Sequence, residues 1–219
     1  LTVAVYLLSI KLSSKFPSPF TTPVFFSTLI IIIFLMFSGI SYHDYQLARD
    51  IMTFLLGPAT VALAVPLYKH RSILFQNLIP AFAGLFAGSI TTVLAAVLLA
   101  KILKLANWIS LSLSIKSITI PVAAEVAKII GADSVLVAAI VMITGMIGAM
   151  FGPWFLNKCH VYHPFARGIS MGTIAHGIGT AEAAREGELQ GAVSGVAMGL
   201  AAIFTAIIIP FVMPFLFHV

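Results

Sequence analysis

The sequence predicts an all-α polytopic membrane protein, transporter-like, in which several of the membrane segments are discontinuous. Three observations predict it. The 219 residues are 60% hydrophobic and only 9% charged, against about 25% charged in soluble domains. Long continuous apolar runs dominate, without the alternating ten-residue pattern of a membrane barrel. At about 20 residues per helical crossing plus short loops, the chain holds roughly seven or eight spans. Finally, three of the apolar runs carry glycine- and proline-rich breaks. A bilayer offers no hydrogen bonds to loose backbone, so such breaks must be shielded by protein or line a watery cavity.

Charge and cysteine content narrow the class further. The net charge of +5 comes from Lys and Arg residues scattered through short connections rather than gathered into a stripe. That pattern suits topology signals and headgroup contacts, not nucleic acid. Cys159 is the single cysteine, so no intramolecular disulfide forms and no metal site or cofactor is signalled.

Residues 1–12 read as a first span, resembling a truncated helix more than a signal peptide because no cleavage site follows. The proline-rich stretch Lys15–Pro23 cannot continue a helix. Phe25 to Ile40 is a clean span, and residues 41–50, with His43, Asp44, Arg49 and Asp50, read as an interfacial loop. Residues 51–68 hold the first break, Gly57-Pro58-Ala59-Thr60, where Pro58 removes a backbone donor in mid-span. Lys69-His70-Arg71 marks a surface, and residues 73–100 form a long span. Residues 106–130 hold the second break, Lys116 to Pro121, and either cross or re-enter. Residues 134–156 span again. Residues 165–184 carry the third break, around Thr173-Ile-Ala-His176-Gly-Ile-Gly179-Thr180, and residues 190–217 form a last span. The whole reads as one transmembrane domain, 1–219, with an internal repeat expected as 1–104 and 105–219. Glycines four apart (Gly84 and Gly88, Gly148 and Gly152, Gly191 to Gly199) make smooth faces for close helix packing.

Several residues at the breaks carry chemistry. A Lys at the centre of an isolated membrane helix costs about 2.5–3.5 kcal/mol on insertion scales, so Lys116 points to a vestibule or a bound anion. A snorkelling Lys is the alternative. Ser117 and Thr119 adjoin it, and Pro121 starts a half-helix whose free N–H groups favour negative charge. His176 lies between Thr173 and Thr180 and suits either substrate binding or proton coupling. It could equally cap broken-helix carbonyls. Gly177 and Gly179 let backbone approach a ligand. Glu125 is either a proton carrier or the partner of Lys128 three residues on. The expected substrate-binding set is therefore Pro58, Thr60, Lys116, Ser117, Thr119, Pro121, Thr173, His176, Gly177, Gly179 and Thr180, with His176 and Glu125 as candidates for proton coupling. No enzyme motif is present: G-x-S-x-G, H-E-x-x-H and a phosphate loop are all missing.

These stretches resemble the LrgB/CidB family of bacterial membrane proteins, also found as half of a plastid glycolate/glycerate transporter. The matching residues are Leu56–Tyr68, Lys116–Glu125, Thr144–Gly152, Ala166–Thr180 and Glu186–Ala192. Ile115, Ile120 and Ala175 stand where relatives often carry Pro, Thr and Ser. The resemblance implies a multi-pass protein of the bacterial cell membrane. It also implies transport of small monocarboxylates of the pyruvate, glycolate and glycerate class, or an antiholin-like control of murein hydrolases and autolysis. A small LrgA/CidA-type membrane partner is implied with it, and the small-residue faces would also suit a homo-oligomer.

Overall fold

A computed structural model describes the chain except Tyr42, Leu63, His70, His218 and Val219, and describes no side chains at residues 56–57, 59–60, 64, 66–67, 73–74 and 214–217. Every regular element among the described residues is helical. Helices α1 (Thr2–Lys15) and α2 (Pro23–Ser38) pair across a single 3₁₀ turn, Pro19–Thr21. That turn is held by a capping box, Ser18 with Thr21. Phe20 beside it meets Phe151 edge-on at 6.0 Å.

Helices α3 (Gln46–Ala62), α4 (Ala64–Lys69) and α5 (Arg71–Gln76) follow. The expected break at Gly57–Thr60 is not one. α3 runs through it with Pro58 inside the helix and exposed, and the Thr60 side chain lies outside the described residues. A single proline removes one hydrogen bond and kinks a helix without ending it. Leu47, Ile51, Phe54, Leu55 and Val61 are all exposed along α3.

Among the described residues, three helices are long and apolar enough to cross a membrane: α6 (Leu78–Ile102), α9 (Ser134–Lys158) and α11 (Glu188–Phe217, apolar over Glu188–Met213). This is a helical membrane protein. Between these three lie two reversals. The first is α7 (Asn107–Ser114) and α8 (Ile120–Ile130), separated by the non-helical Ile115–Thr119. A bend at Leu103–Ala106 sends α7 back along α6, so that Ser117 reaches Thr92, half-way along α6 (Oγ to Oγ1, 3.0 Å). α8 then returns. Leu111 of α7 and Lys128–Gly131 at the end of α8 line one cavity, so both arms open at the same end of the bundle. Buried serines in α7 can sit in an apolar setting because Ser110, Ser112 and Ser114 donate to backbone carbonyls three or four residues earlier. Gly131, at φ 71°, ends α8 in the left-handed conformation. The Asp133 carboxylate accepts from the Leu136 N–H to start α9.

The second reversal is α10 (Pro164–Glu186). Its backbone breaks at His176, with φ 41° and ψ −135°. A straight helix would separate Arg167 from Glu186 by about 28 Å at 1.5 Å per residue. Instead the Arg167 Nε donates to Glu186 Oε2 at 2.7 Å. Met171 and Ala183 share one apolar cluster, and Gly179 sits against Ala175 and the Met171 carbonyl. The segment is thus a helical hairpin with its tip at His176–Gly177, not a kinked crossing helix. The reason is in the residues: Gly172 and Gly179 let the arms and the neighbouring α11 backbone approach too closely for any side chain.

The two reversals enter from opposite ends. The α7–α8 mouth lies at the start of α9. The α10 mouth lies at the end of α9, where Arg167 Nη1 donates to Asn157 Oδ1 at 2.8 Å. A helix of 25 residues is about 37 Å long, so the mouths stand a full helix length apart. α11 starts beside the α10 mouth and runs towards the α7–α8 mouth, and Ile209 and Met213 of its second half share the main core with Leu111, Ile118, Ile130, Val137 and Val141.

Candidate functional site

The tips of the two reversals reach the same middle stretches of α6 and α9. On α6, a Cβ at Gly84 would touch Ile169, and one at Gly88 would stand 3.3 Å from the Thr173 methyl. One turn further, Thr92 meets Lys116 and Ser117. On α9, the His176 ring lies against Gly145, while Val141 belongs to the same apolar cluster as Ile118 and Ala123 of the first reversal. The glycine faces expected at 84/88 and 148/152 do pack against a neighbour, the first arm of α10, whereas Gly199 faces open space.

Lys116 is the charged group at this junction. Its ammonium donates to Thr92 Oγ1 and, at 3.1 Å, to Ser117 Oγ. Among the described residues it has no carboxylate partner. The remaining ammonium capacity and the N-terminus of α8 point the same way electrostatically: both favour an anion. Pro121 opens α8 at its first turn, and Thr119 caps it through its carbonyl, to which Ala123 N–H donates at 2.8 Å, leaving the Thr119 hydroxyl uncommitted to the cap.

The second tip is arranged differently from expectation. His176 is buried, and its Nε2–H donates to the Val141 carbonyl at 3.0 Å. That bond commits the proton-bearing nitrogen to backbone, so the imidazole acts as a pin holding the tip to α9. Gly145 makes it possible, since a Cβ there would come within 2.5 Å of the ring. Thr180 is similarly occupied: it donates to the His176 carbonyl and meets Ser194 Oγ at 2.9 Å. Gly177 is exposed at the turn, and Gly179 serves arm-to-arm packing. Thr173 is the member of this set whose side chain stays uncommitted. Its hydroxyl is buried without a hydrogen-bond partner, as is that of Ser89.

A cavity of about 360 Å³ runs between α6 and the first arm of α10. Asn77 and His163 line it at the N-terminal ends of α6 and α10, and Gly88, Thr173 and the exposed Ile174 line it further along those helices. The structure therefore places Lys116, Ser117, Thr119 and Pro121 together at the first tip, with Thr173 packed one turn away along α6 and the His176 tip pinned to α9. It does not bring Pro58 to them. Glu125 also stands apart: it is exposed and paired with Lys128 at 2.7 Å, the helix-pair alternative. Sequence reasoning missed Thr92, Ser89 and the Val141 carbonyl. Isolated hydroxyls in a long apolar helix give no signal, because most bond back to their own helix. Among the described residues no three His, Cys, Asp or Glu side chains stand close enough to hold a metal ion.

The LrgB-like family model matches residues 2–215, nearly the whole chain. The chain belongs to the LrgB-like family. It is similar to two Bacillus subtilis (strain 168) proteins that carry the description uncharacterized. YxaC is 36% identical over 189 residues, covering 86% of this chain and 82% of the relative. YwbG is 34% identical over 183 residues, covering 84% and 81%. No solved structure matches. In this LrgB-like chain the family match spans both reversals and all three long helices.

Proposed function

We propose that this protein carries small monocarboxylates of the pyruvate, glycolate and glycerate class across a bacterial cell membrane as a multi-pass transporter or transporter subunit. The observation that carries the reading is Lys116: an ammonium held by two hydroxyls, with no carboxylate beside it among the described residues, at the tip of the first reversal and one turn along α6 from where the second reversal packs. A cation in that setting is costly unless a counter-ion visits it. In this mechanism Lys116 and Ser117 hold the carboxylate, Thr119 and the α8 N-terminus add donors, and Thr173 faces the incoming solute. The cavity beside α6 is the approach from one end. His176 positions the second tip rather than moving a proton. Re-entrant halves from opposite ends support alternating access, in which one hairpin opens while the other closes. They also support an inverted repeat of 78–130 against 134–186. The division at residue 104 would cut between α6 and α7, which pack together.

Proteoliposomes holding the purified chain test this against control of lysis. The transport reading expects saturable uptake of labelled glycolate, lowered at least tenfold by Lys116→Ala, with no leakage of a large dye. Dye leakage, or flux that never saturates, would contradict it. Flux that needs a small LrgA/CidA-type partner would define the chain as a subunit.

A further inference from the structure

We propose that the end of the molecule holding the α10 mouth faces the cytoplasm, kept there by an excess of basic residues over the opposite end. This rests on the cell-membrane placement above, not on the nature of the solute. Hydropathy alone does not orient the chain, because two of its segments enter and leave on the same side. The contacts sort the charges instead.

At the α10 mouth, Lys158 ends α9 next to Asn157, which accepts from Arg167, and Arg185 adjoins Glu186, the partner of Arg167. The Lys69 ammonium donates to Glu188, the first residue of α11, at 2.9 Å, and Arg71 stands over the Tyr68 ring at 4.3 Å. Lys11 and Lys15 reach the same end: α1 closes at the 3₁₀ turn whose Phe20 meets Phe151 in the last third of α9.

The opposite end is poorer in basic residues. Lys101 and Lys104 stand at the close of α6, and Lys128 in the last turn of α8. α2 starts at the 3₁₀ turn and is apolar throughout, so it runs into the bilayer and away from that turn. Tyr45, beyond it, meets Thr2 at the start of α1 (Oη to Oγ1, 2.6 Å), which places Arg49 at the opposite end. Apart from Lys116 at the first tip, the lysines and arginines therefore divide seven to four in favour of the α10 mouth. The carboxylates lean the other way: Glu182, Glu186 and Glu188 against Asp44, Asp50, Glu125 and Asp133. Exposed indoles mark both boundaries, Trp154 one turn inside the basic end and Trp108 at the start of α7. Lys and Arg accumulate on the cytoplasmic side of membrane-spanning chains, where anionic headgroups and the membrane potential retain them. The α10 hairpin then opens to the cytoplasm and the α7–α8 hairpin to the outside.

Cys159, exposed at the α10 mouth, is the single cysteine and serves as the reporter. In Gram-positive cells expressing the chain, a membrane-impermeant maleimide is expected to leave Cys159 unlabelled until the cells are permeabilised. Cys159→Ser with Lys128→Cys is expected to label in intact cells. The converse pattern, or equal behaviour of the two positions, overturns the proposal. Lys15→Gln, Arg71→Gln and Lys158→Gln together level the basic residues at the two ends, and Cys159 labelling of intact cells should then rise at least tenfold. Full protection retained in that variant overturns charge as the cause. A chain absent from the membrane fraction overturns the cell-membrane placement itself.

Discussion

At the residue scale, Lys116 and Gly145 carry opposite kinds of constraint. Lys116 is functional strain: among the described residues its charge is held by neutral hydroxyls alone. Replacing it with Gln keeps hydrogen bonding and removes the charge. We expect Lys116→Gln to abolish carboxylate uptake while raising the thermal midpoint, because sites built for a ligand are rarely optimal without it. A differential scanning melt beside the uptake assay checks both halves. Gly145 is packing strain. Gly145→Leu would drive a side chain into the His176 ring, and overpacking of this kind costs typically 1–3 kcal/mol. A lower melting point is expected, with uptake lost as the tip comes off α9. Lys116 was legible in the sequence because a cation inside an apolar run is conspicuous. The commitment of His176 to the Val141 carbonyl was not, since a side chain's partner lies 35 residues away and leaves no local mark.

At the scale of elements, the α10 hairpin depends on its mouth. Arg167 is 7% exposed. It donates through Nε to Glu186, and through Nη1 to Asn157 Oδ1 and the Val161 carbonyl. Breaking a buried pair by removing one partner costs about 3–5 kcal/mol, whereas replacing both with apolar groups is often neutral. Arg167→Met or Glu186→Leu alone should therefore destabilise strongly, and Arg167→Met with Glu186→Leu should recover part of the loss. Denaturation of the four proteins in lipid measures the coupling. Equal, additive losses would mean the arms are held elsewhere. The hairpin itself was partly hidden in the sequence. Glycine-rich helix followed by glycine-rich helix reads as one kinked span, and only the shortness of each half, about 16 Å for 11 residues, hints at a reversal. Conversely, Pro58 looked like a break because proline disrupts helices, but one missing donor inside α3 is absorbed locally.

For the whole molecule, the prediction concerns sidedness. The two mouths stand at opposite ends of α9. In a Cys159→Ser background, a cysteine at Lys128, exposed at the α8 end, should label from one face of the membrane. A cysteine at Arg185, beside the α10 mouth, should label only from the other. Labelling from the same face would rule out opposed reversals. Membrane class was plain from composition, while the number of crossings was not: hydropathy alone cannot tell a stretch that crosses from one that enters and returns. A carboxylate-binding chamber at Lys116, between the tips of two half-membrane hairpins, is the claim on which transport rests. It is tested most directly by a density map of the chain in lipid at saturating lactate. The account predicts density between the two tips, within hydrogen-bond distance of the Lys116 ammonium. Density elsewhere, or a Lys116 side chain turned to headgroups with no chamber between the tips, would contradict it.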